Sequence, residues 1–266
     1  MNRCRNIKCA LTIAGSDSGG GAGVQADMLA FAANGVFAAS AIAAITAQNP
    51  DGVRAVSAVP ADVFAAQIEA VAEYFKPEAA KTGMLFDAEH IEIAADFARR
   101  NREMRLVVDP VMISTSGSKL LRDDAVRVLR EKLLPLATLI TPNLDEAREL
   151  LGAEIKDIAT AARGLSRKFS TAVLLKGGHL DGDDIADALC SKSGEVRVFE
   201  SKRVKNVNTH GSGCTLSAAI AANLANGAGL EKSVENARNY LLRGMRNPVR
   251  AGAKNENFIN HFPGFF

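Results

Sequence analysis

A chain of 266 residues is long for one average domain and short for two, which favours a single large α/β unit. Such a unit buries about three quarters of its unfolded surface and needs neither disulfides nor a structural metal to hold its core. Lys+Arg at 32 against Asp+Glu at 30 leaves a net charge of +2, which argues against nucleic-acid binding, and 47% hydrophobic with 23% charged residues excludes a disordered chain.

The apolar period switches repeatedly between strand-like runs and helix-like spacing. Residues 9–14 (CALTIA) form a short apolar run closed by Gly15, the mark of a buried strand. A glycine-rich loop follows, and then Val24, Met28 and Phe31 recur at helical spacing until Gly35. Residues 37–46 are again apolar and predict one strand, ended by the breaker Asn49-Pro50-Asp51-Gly52. Pro60 opens a helix with Phe64, Ile68, Val71 and Phe75 on one face, and Pro77 closes it.

The alternation continues with a strand at 79–82, a helix at 88–100 and the run Leu106-Val107-Val108 before Asp109-Pro110. A helix is predicted over 122–134, a strand over 137–141 and another over 172–175. Segments 185–190 and 195–199, separated by Lys192-Ser193-Gly194, predict a β-hairpin. The last quarter is helical, with Leu216, Ile220 and Leu224 and then Leu230, Val234, Ala237, Leu241 and Met245; from Pro248 to Phe266 no period is visible. Helices alternating with fully apolar strands predict a mainly parallel sheet covered on both faces, a three-layer α/β/α fold in one domain over 1–266. Abundant alanine and the absence of Trp predict helices packed closely on that sheet rather than aromatic clusters.

Cys4, Cys9, Cys190 and Cys214 show no paired spacing, which points to a reducing compartment. The apolar run after Arg3, Arg5 and Lys8 is too short for a signal peptide. No stretch approaches the roughly 18 apolar residues of a membrane span. A soluble, cytoplasmic protein is expected, with no membrane or nucleic-acid partner.

Ligands of such sheets bind beyond the carboxyl ends of the strands. Those ends read Gly15-Ser16-Asp17, Thr46-Ala47-Gln48-Asn49, Lys81-Thr82-Gly83-Met84, Asp109-Pro110-Val111-Met112, Thr141-Pro142-Asn143 and Lys176-Gly177-Gly178-His179. Any one of them is a turn. Together they describe a polar crevice. The loop 15–23 (GSDSGGGAG) is neither a Walker A loop nor a dinucleotide fingerprint, which disfavours a Rossmann dehydrogenase.

The segment 208–215 (NTHGSGCT) lies immediately before a helical run. Gly211 and Gly213 let backbone N–H groups converge there, and the helix start adds positive potential, an arrangement suited to a phosphoryl group in transfer. Cys214 falls in the first turn, where a thiol is expected to ionise more easily. Lys176 offers a point cation for phosphate. Asn143 and Glu146, three apart, and Asp109 offer oxygens that suit Mg²⁺. The four histidines lack metal-ligand spacing, so no zinc site is expected.

Seven segments together carry a resemblance: 10–27 (ALTIAGSDSGGGAGVQAD), 46–49 (TAQN), 81–85 (KTGML), 107–112 (VVDPVM), 139–147 (LITPNLDEA), 174–179 (LLKGGH) and 208–220 (NTHGSGCTLSAAI). The chain resembles the hydroxymethylpyrimidine/phosphomethylpyrimidine kinases of the ribokinase-like superfamily, over about residues 9–245. The resemblance implies a three-layer α/β/α enzyme that phosphorylates an aminopyrimidine alcohol and then its monophosphate with ATP and Mg²⁺. It implies Cys214 as catalytic base, Gly211, Ser212 and Gly213 as anion hole, and Lys176, Asn143 and Asn208 on the ATP and phosphate side. It also implies Glu146 at the metal, beside the carboxylate that Asp109 offers, Gln48 on the pyrimidine, and Ala22, Met84 and Val111 lining the pocket. The superfamily adds the expectation of a homodimer.

The nearest alternative is a pyridoxal kinase of the same superfamily, and a non-catalytic scaffold is the alternative of another class. Gln48 favours the pyrimidine, because its amide donates and accepts together, matching a ring nitrogen and an exocyclic amine. The pyridoxal-phosphorylating relatives tend to have Met there.

Overall fold

The computed structural model describes residues 6–112, 121, 123–177 and 183–262. Arg3, Cys4 and Arg5, and Gly178 and His179 at the end of the Lys176 segment, lie outside the described residues. The chain starts with β1 (Cys9–Ala14), α1 (Gly23–Ala33), β2 (Phe37–Ile42), and a hairpin of β3 (Ala44–Asn49) and β4 (Gly52–Ala58). There follow α2 (Ala61–Phe75), β5 (Ala79–Thr82), α3 (Ala88–Arg100), β6 (Arg105–Val108) and α4 (Asp123–Val128). The middle continues with β7 (Leu139–Ile140), α5 (Leu144–Leu151), α6 (Ile158–Phe169) and β8 (Ala172–Leu175). The strands β9 (Asp184–Cys190) and β10 (Val196–Lys202) precede α7 (Ser212–Ala225) and α8 (Leu230–Arg246), and β11 (Val249–Ala251) pairs with β12 (Glu256–Phe258).

The main sheet has eight strands in the order β10-β9-β8-β7-β6-β5-β1-β2. From β8 to β2 every neighbouring pair is parallel, while β9 joins β8, and β10 joins β9, antiparallel. Successive side chains of a strand face opposite sides, and both sides are covered. Leu106, Val108, Val173 and Leu175 belong to one apolar core with α2 to α6. Val107, Ala172 and Leu174 belong to the other, with α1, α7 and α8. Phe64 and Ile68 on α2 are fully buried, each contributing about 1.5–3 kcal/mol of apolar burial. On α7 the buried face includes Ala218, Ala219, Ala221 and Ala222, and their methyl-sized side chains let the helix axis lie close to the strands.

Three sequence expectations change. The strand expected over 37–46 is two strands: Ala43 donates its N–H to Ala14 O (2.9 Å), and beyond it the chain leaves the main sheet. Asn49-Pro50-Asp51-Gly52 is then the turn of the β3–β4 hairpin rather than a plain break. Strand β4 is almost wholly exposed, so no burial pattern marks it in the sequence. The helix expected over 122–134 is α-helical only to Val128 and widens to a π turn over Leu129–Leu133. The tail beyond Pro248, without visible period, forms the β11–β12 ribbon.

Strand β1 is the switch point: β2 follows it on one side and β5 lies on the other. The crevice expected beyond the carboxyl ends of such strands opens there. Gly15 N–H, just after β1, donates to Met84 O, just after β5, at 2.9 Å.

Candidate active site

Two loops far apart in sequence close this crevice. Gly211 caps α7 with φ +77°, and a Cβ built on it would stand 1.7 Å from the Gly21 carbonyl oxygen. Only glycine fits both the left-handed backbone and that contact. The helix start therefore sits directly on the glycine-rich loop 15–23. A Cβ on Gly213 would lie 3.2 Å from Lys176 Nζ and 3.6 Å from Asp109 Oδ2, so the first turn of α7 faces a charged pair. Ser212, Gly213 and Cys214 form that turn.

The pair itself is tight. Lys176 Nζ donates to Asp109 Oδ1 at 2.9 Å, and Thr141 Oγ1 (3.2 Å) and Ser217 Oγ (3.3 Å) also donate to the Asp109 carboxylate. Burial pushes the Asp109 carboxyl up, but the Lys176 and Lys81 cations outweigh it and hold it below the ordinary range. Burial likewise opposes the Lys176 charge, and Asp109 and Glu146 hold the ammonium above its usual value. A parallel bridge between Asn143 and Lys176 carries this end of the sheet past β7 and β8.

Asn143 and Glu146 do share the start of a helix, as a capping box on α5. Asn143 Oδ1 accepts from Glu146 N, and Glu146 Oε2 accepts from Asn143 N, both at 2.9 Å. The other carboxylate oxygen of Glu146 accepts from Met112 N at 3.2 Å. Burial, reinforced by the Asp109 charge, pushes the Glu146 carboxyl up to about 7 against the pull of Lys176.

Gln48 is fixed by Ser18, whose hydroxyl donates to Gln48 O (2.7 Å) and accepts from Gln48 N (2.8 Å). The Gln48 amide reaches His210 Nε2 at 3.3 Å, and the same nitrogen is 2.9 Å from Asp17 Oδ2. A carboxylate only accepts, so the imidazole proton sits on Nε2. That single proton is directed at Asp17, so the Gln48 amide nitrogen at 3.3 Å is in contact with the ring without a hydrogen bond from it. Ala22 N also donates to Asp17 Oδ2 (2.9 Å). Met84 packs so closely on Gly15 that a Cβ there would stand 2.5 Å from the Met84 methyl. Val111 adopts φ +41°.

The family model for phosphomethylpyrimidine kinase matches residues 17–258. The chain belongs to the phosphomethylpyrimidine kinase family. The hydroxymethylpyrimidine/phosphomethylpyrimidine kinase of Rhizobium meliloti is 50% identical over 236 residues, covering 87% of this chain and 88% of that protein. A crystal structure of the Clostridium difficile phosphomethylpyrimidine kinase is 40% identical with a TM-score of 0.79, covering 88% of this chain and 98% of that one. An ADP complex of Bacillus subtilis pyridoxal kinase is 33% identical with a TM-score of 0.88, covering 96% and 98%. The three-layer fold expected from the sequence is the fold of these kinases.

The match of the phosphomethylpyrimidine kinase family extends into the tail, and the structure gives the tail contacts at the site. Asn208, expected on the phosphate side, has both ends of its carboxamide engaged within the fold: Nδ2 donates to Glu256 Oε2 (3.0 Å), and Oδ1 accepts from His210 N (2.9 Å). His261 Nε2 lies 3.1 Å from Thr215 Oγ1 on the first turns of α7.

Cys214 corrects an expectation. Its thiol is not made easier to ionise: burial pushes it up, and the Lys81 charge and the Gly23 N–H oppose that only in part. Cys214 is half-buried, and the partial loss of water around its sulfur disfavours the thiolate. Lys81, which the sequence marks only as part of a strand end, has a partner of its own. It is fully buried, donates to both Asp27 oxygens (2.9 and 2.8 Å), and Thr12 Oγ1 donates to the same carboxylate at 2.6 Å. A lysine within the apolar run of a central strand is itself the signal, because such a charge is buried only with a partner. His210 and Asp17 carried no comparable local signal, being far apart in sequence.

Among the described residues, no three or more His, Cys, Asp or Glu side chains cluster to hold a metal ion. Mg²⁺ requires no such cluster, since it is usually held by one or two carboxylates together with phosphates and waters. Asp109 and Glu146, both beside the Lys176 cation, fit that donor set.

Proposed function

We propose that the chain phosphorylates 4-amino-5-hydroxymethyl-2-methylpyrimidine, and then its monophosphate, at the expense of ATP. The observation that carries the reading is the start of α7 laid against the Lys176–Asp109 pair, with Cys214 in that same turn and Gln48 in contact with His210 just before it. Such a geometry serves phosphoryl transfer, which depends chiefly on positioning and on stabilising charge around the moving group. The 50% identity to a kinase named for both substrates supports it.

In this reading Gln48 pairs with the ring nitrogen and exocyclic amine of the pyrimidine, between Ala22, Met84 and Val111. The substrate hydroxyl faces Cys214. The hydroxyl oxygen bonds to the γ-phosphorus, the bond from that phosphorus to the ADP oxygen breaks, and the hydroxyl proton passes to the ionised Cys214 sulfur. Gly211 and Gly213 present backbone N–H groups to the transferring phosphoryl, and Lys176 balances its charge; the Ser212 N–H, expected to join them, is instead donated to Thr209 O at 3.0 Å within the turn. Asp109 and Glu146 would hold Mg²⁺, which would supply positive charge to offset that of the reacting phosphates. Asn208 acts through the loop it staples.

A thiol base works only when reduced, so a cytoplasmic setting belongs to the same reading; among the described residues Cys9, Cys190 and Cys214 are free thiols. So does a homodimer. The β3–β4 hairpin stands apart from the main sheet with Ile45, Val53 and Val56 exposed, an apolar face that a second copy would cover. The test of the function is ³¹P NMR of the products with Mg²⁺ and ATP. Successive signals of a pyrimidine monophosphate and diphosphate are expected, and ADP release with no new phosphate ester would overturn the reading.

A further inference from the structure

Val111 is a β-branched residue in the left-handed region, φ +41°, a conformation such side chains rarely adopt. A backbone of that kind persists only where its surroundings over-determine it. On one flank Asp109 is pinned by Lys176, Thr141 and Ser217. On the other flank the Met112 side chain is buried, and the Met112 N–H donates to Glu146 Oε1 at 3.2 Å. The second oxygen of Glu146 is held by Asn143 N at the start of α5.

We propose that Glu146 is a positioning residue for the pyrimidine pocket: through the Met112 amide its carboxylate holds Val111 in the strained conformation that shapes the pocket wall. This rests on the reading of Val111 as pocket lining given above. It assigns Glu146 a task separate from any metal. The carboxylate ties the phosphate-side helix α5 to the pyrimidine side through two backbone N–H groups. Glutamine cannot replace it. The oxygen of a glutamine accepts from one of the two backbone N–H groups, while its NH₂ meets the other donor to donor. One of the two bonds is then lost.

The experiment is a double-mutant cycle of Glu146→Gln and Val111→Gly. Affinity for the aminopyrimidine is read by calorimetry in EDTA without nucleotide, and exchange of the Met112 amide is read by NMR. Glu146→Gln should raise the dissociation constant about tenfold, the scale on which left-handed backbone disfavours a non-glycine residue. It should also speed Met112 exchange. In the Val111→Gly background, where the conformation is free, the same change should move the dissociation constant less than about twofold. If Glu146→Gln does not fold alone, refolding by the added Val111→Gly supports the proposal, and a double variant that also fails to fold overturns it. An unchanged affinity in EDTA, or an equal penalty in both backgrounds, overturns it as well. If the parent does not bind the pyrimidine at all, the reading of the pocket falls; the exchange data then decide the strut, and unaltered Met112 exchange contradicts it.

Discussion

Two lysine–aspartate pairs flank the start of α7, and they differ in one respect. The Lys81–Asp27 pair is closed: both side chains are 0% exposed, and Lys81 spends two hydrogen bonds on the two Asp27 oxygens. The Lys176–Asp109 pair is open: Lys176 is 16% exposed and makes one bond to Asp109. An ammonium has three donors, so Lys176 keeps donors for a ligand while Lys81 is committed to the fold. Under the proposed function the same two residue types serve as scaffold in one place and as a phosphate site in the other. Access to the crevice decides which.

The largest effect expected from breaking this contrast is at the closed pair. Lys81→Met leaves the Asp27 carboxylate buried without its cation, a loss typically of about 3–5 kcal/mol. Denaturant unfolding should show it, and the double variant Lys81→Met/Asp27→Asn should recover much of the stability. At the open pair the effect moves from stability to activity. Lys176→Ala should lower kcat/KM for ATP by about 10²–10³-fold, as for other positioned charge stabilisers, with a much smaller change in unfolding. If Lys176→Ala destabilised the fold as much as Lys81→Met, the contrast would fail.

Cys214 sharpens the comparison, since the closed pair lies behind it. Cys214→Ala should slow the first phosphorylation by about 10²-fold, the small end for a lost general base. The second phosphorylation should change far less, because the attacking monophosphate oxygen is already ionised near neutral pH and needs no base. The raised thiol sets the sign of the pH dependence. A base must be ionised to accept a proton, so the first-step rate should climb with pH above neutrality until the thiol titrates, and that climb should vanish in Cys214→Ala. Alkylation of Cys214 should follow the same rise. A first-step rate independent of pH from 7 to 9 would contradict a thiolate base. The smallest effect is at Gln48, whose replacement by Met should cost about 1–3 kcal/mol in kcat/KM for the pyrimidine; equal values for variant and parent would remove Gln48 from the pocket.

Much of this was legible in the sequence where the physics is local. The strand at 9–14, the helix at 88–100 and the turn before α7 all follow from apolar period and glycine placement, and each stands where expected. The polar strand ends marked the crevice because a sheet of this kind gathers them on one edge. What escaped is what depends on distant partners. Strand β4 is exposed and, among the described residues, pairs only with β3, so it shows no alternation to read. The Asp17–His210 contact joins residues 193 positions apart. The direction of the Cys214 shift reversed the local argument, because helix start and glycine amides are visible in sequence while the burial that outweighs them is a property of packing.

Under the proposed function this crevice transfers phosphate to an aminopyrimidine. The direct measurement is kcat/KM by coupled ADP release with Mg²⁺ and ATP across four acceptors: hydroxymethylpyrimidine, its monophosphate, pyridoxal and ribose. Turnover of the first two, well above pyridoxal and ribose, is the predicted result. Preference for pyridoxal, or no turnover with any of the four, would contradict it.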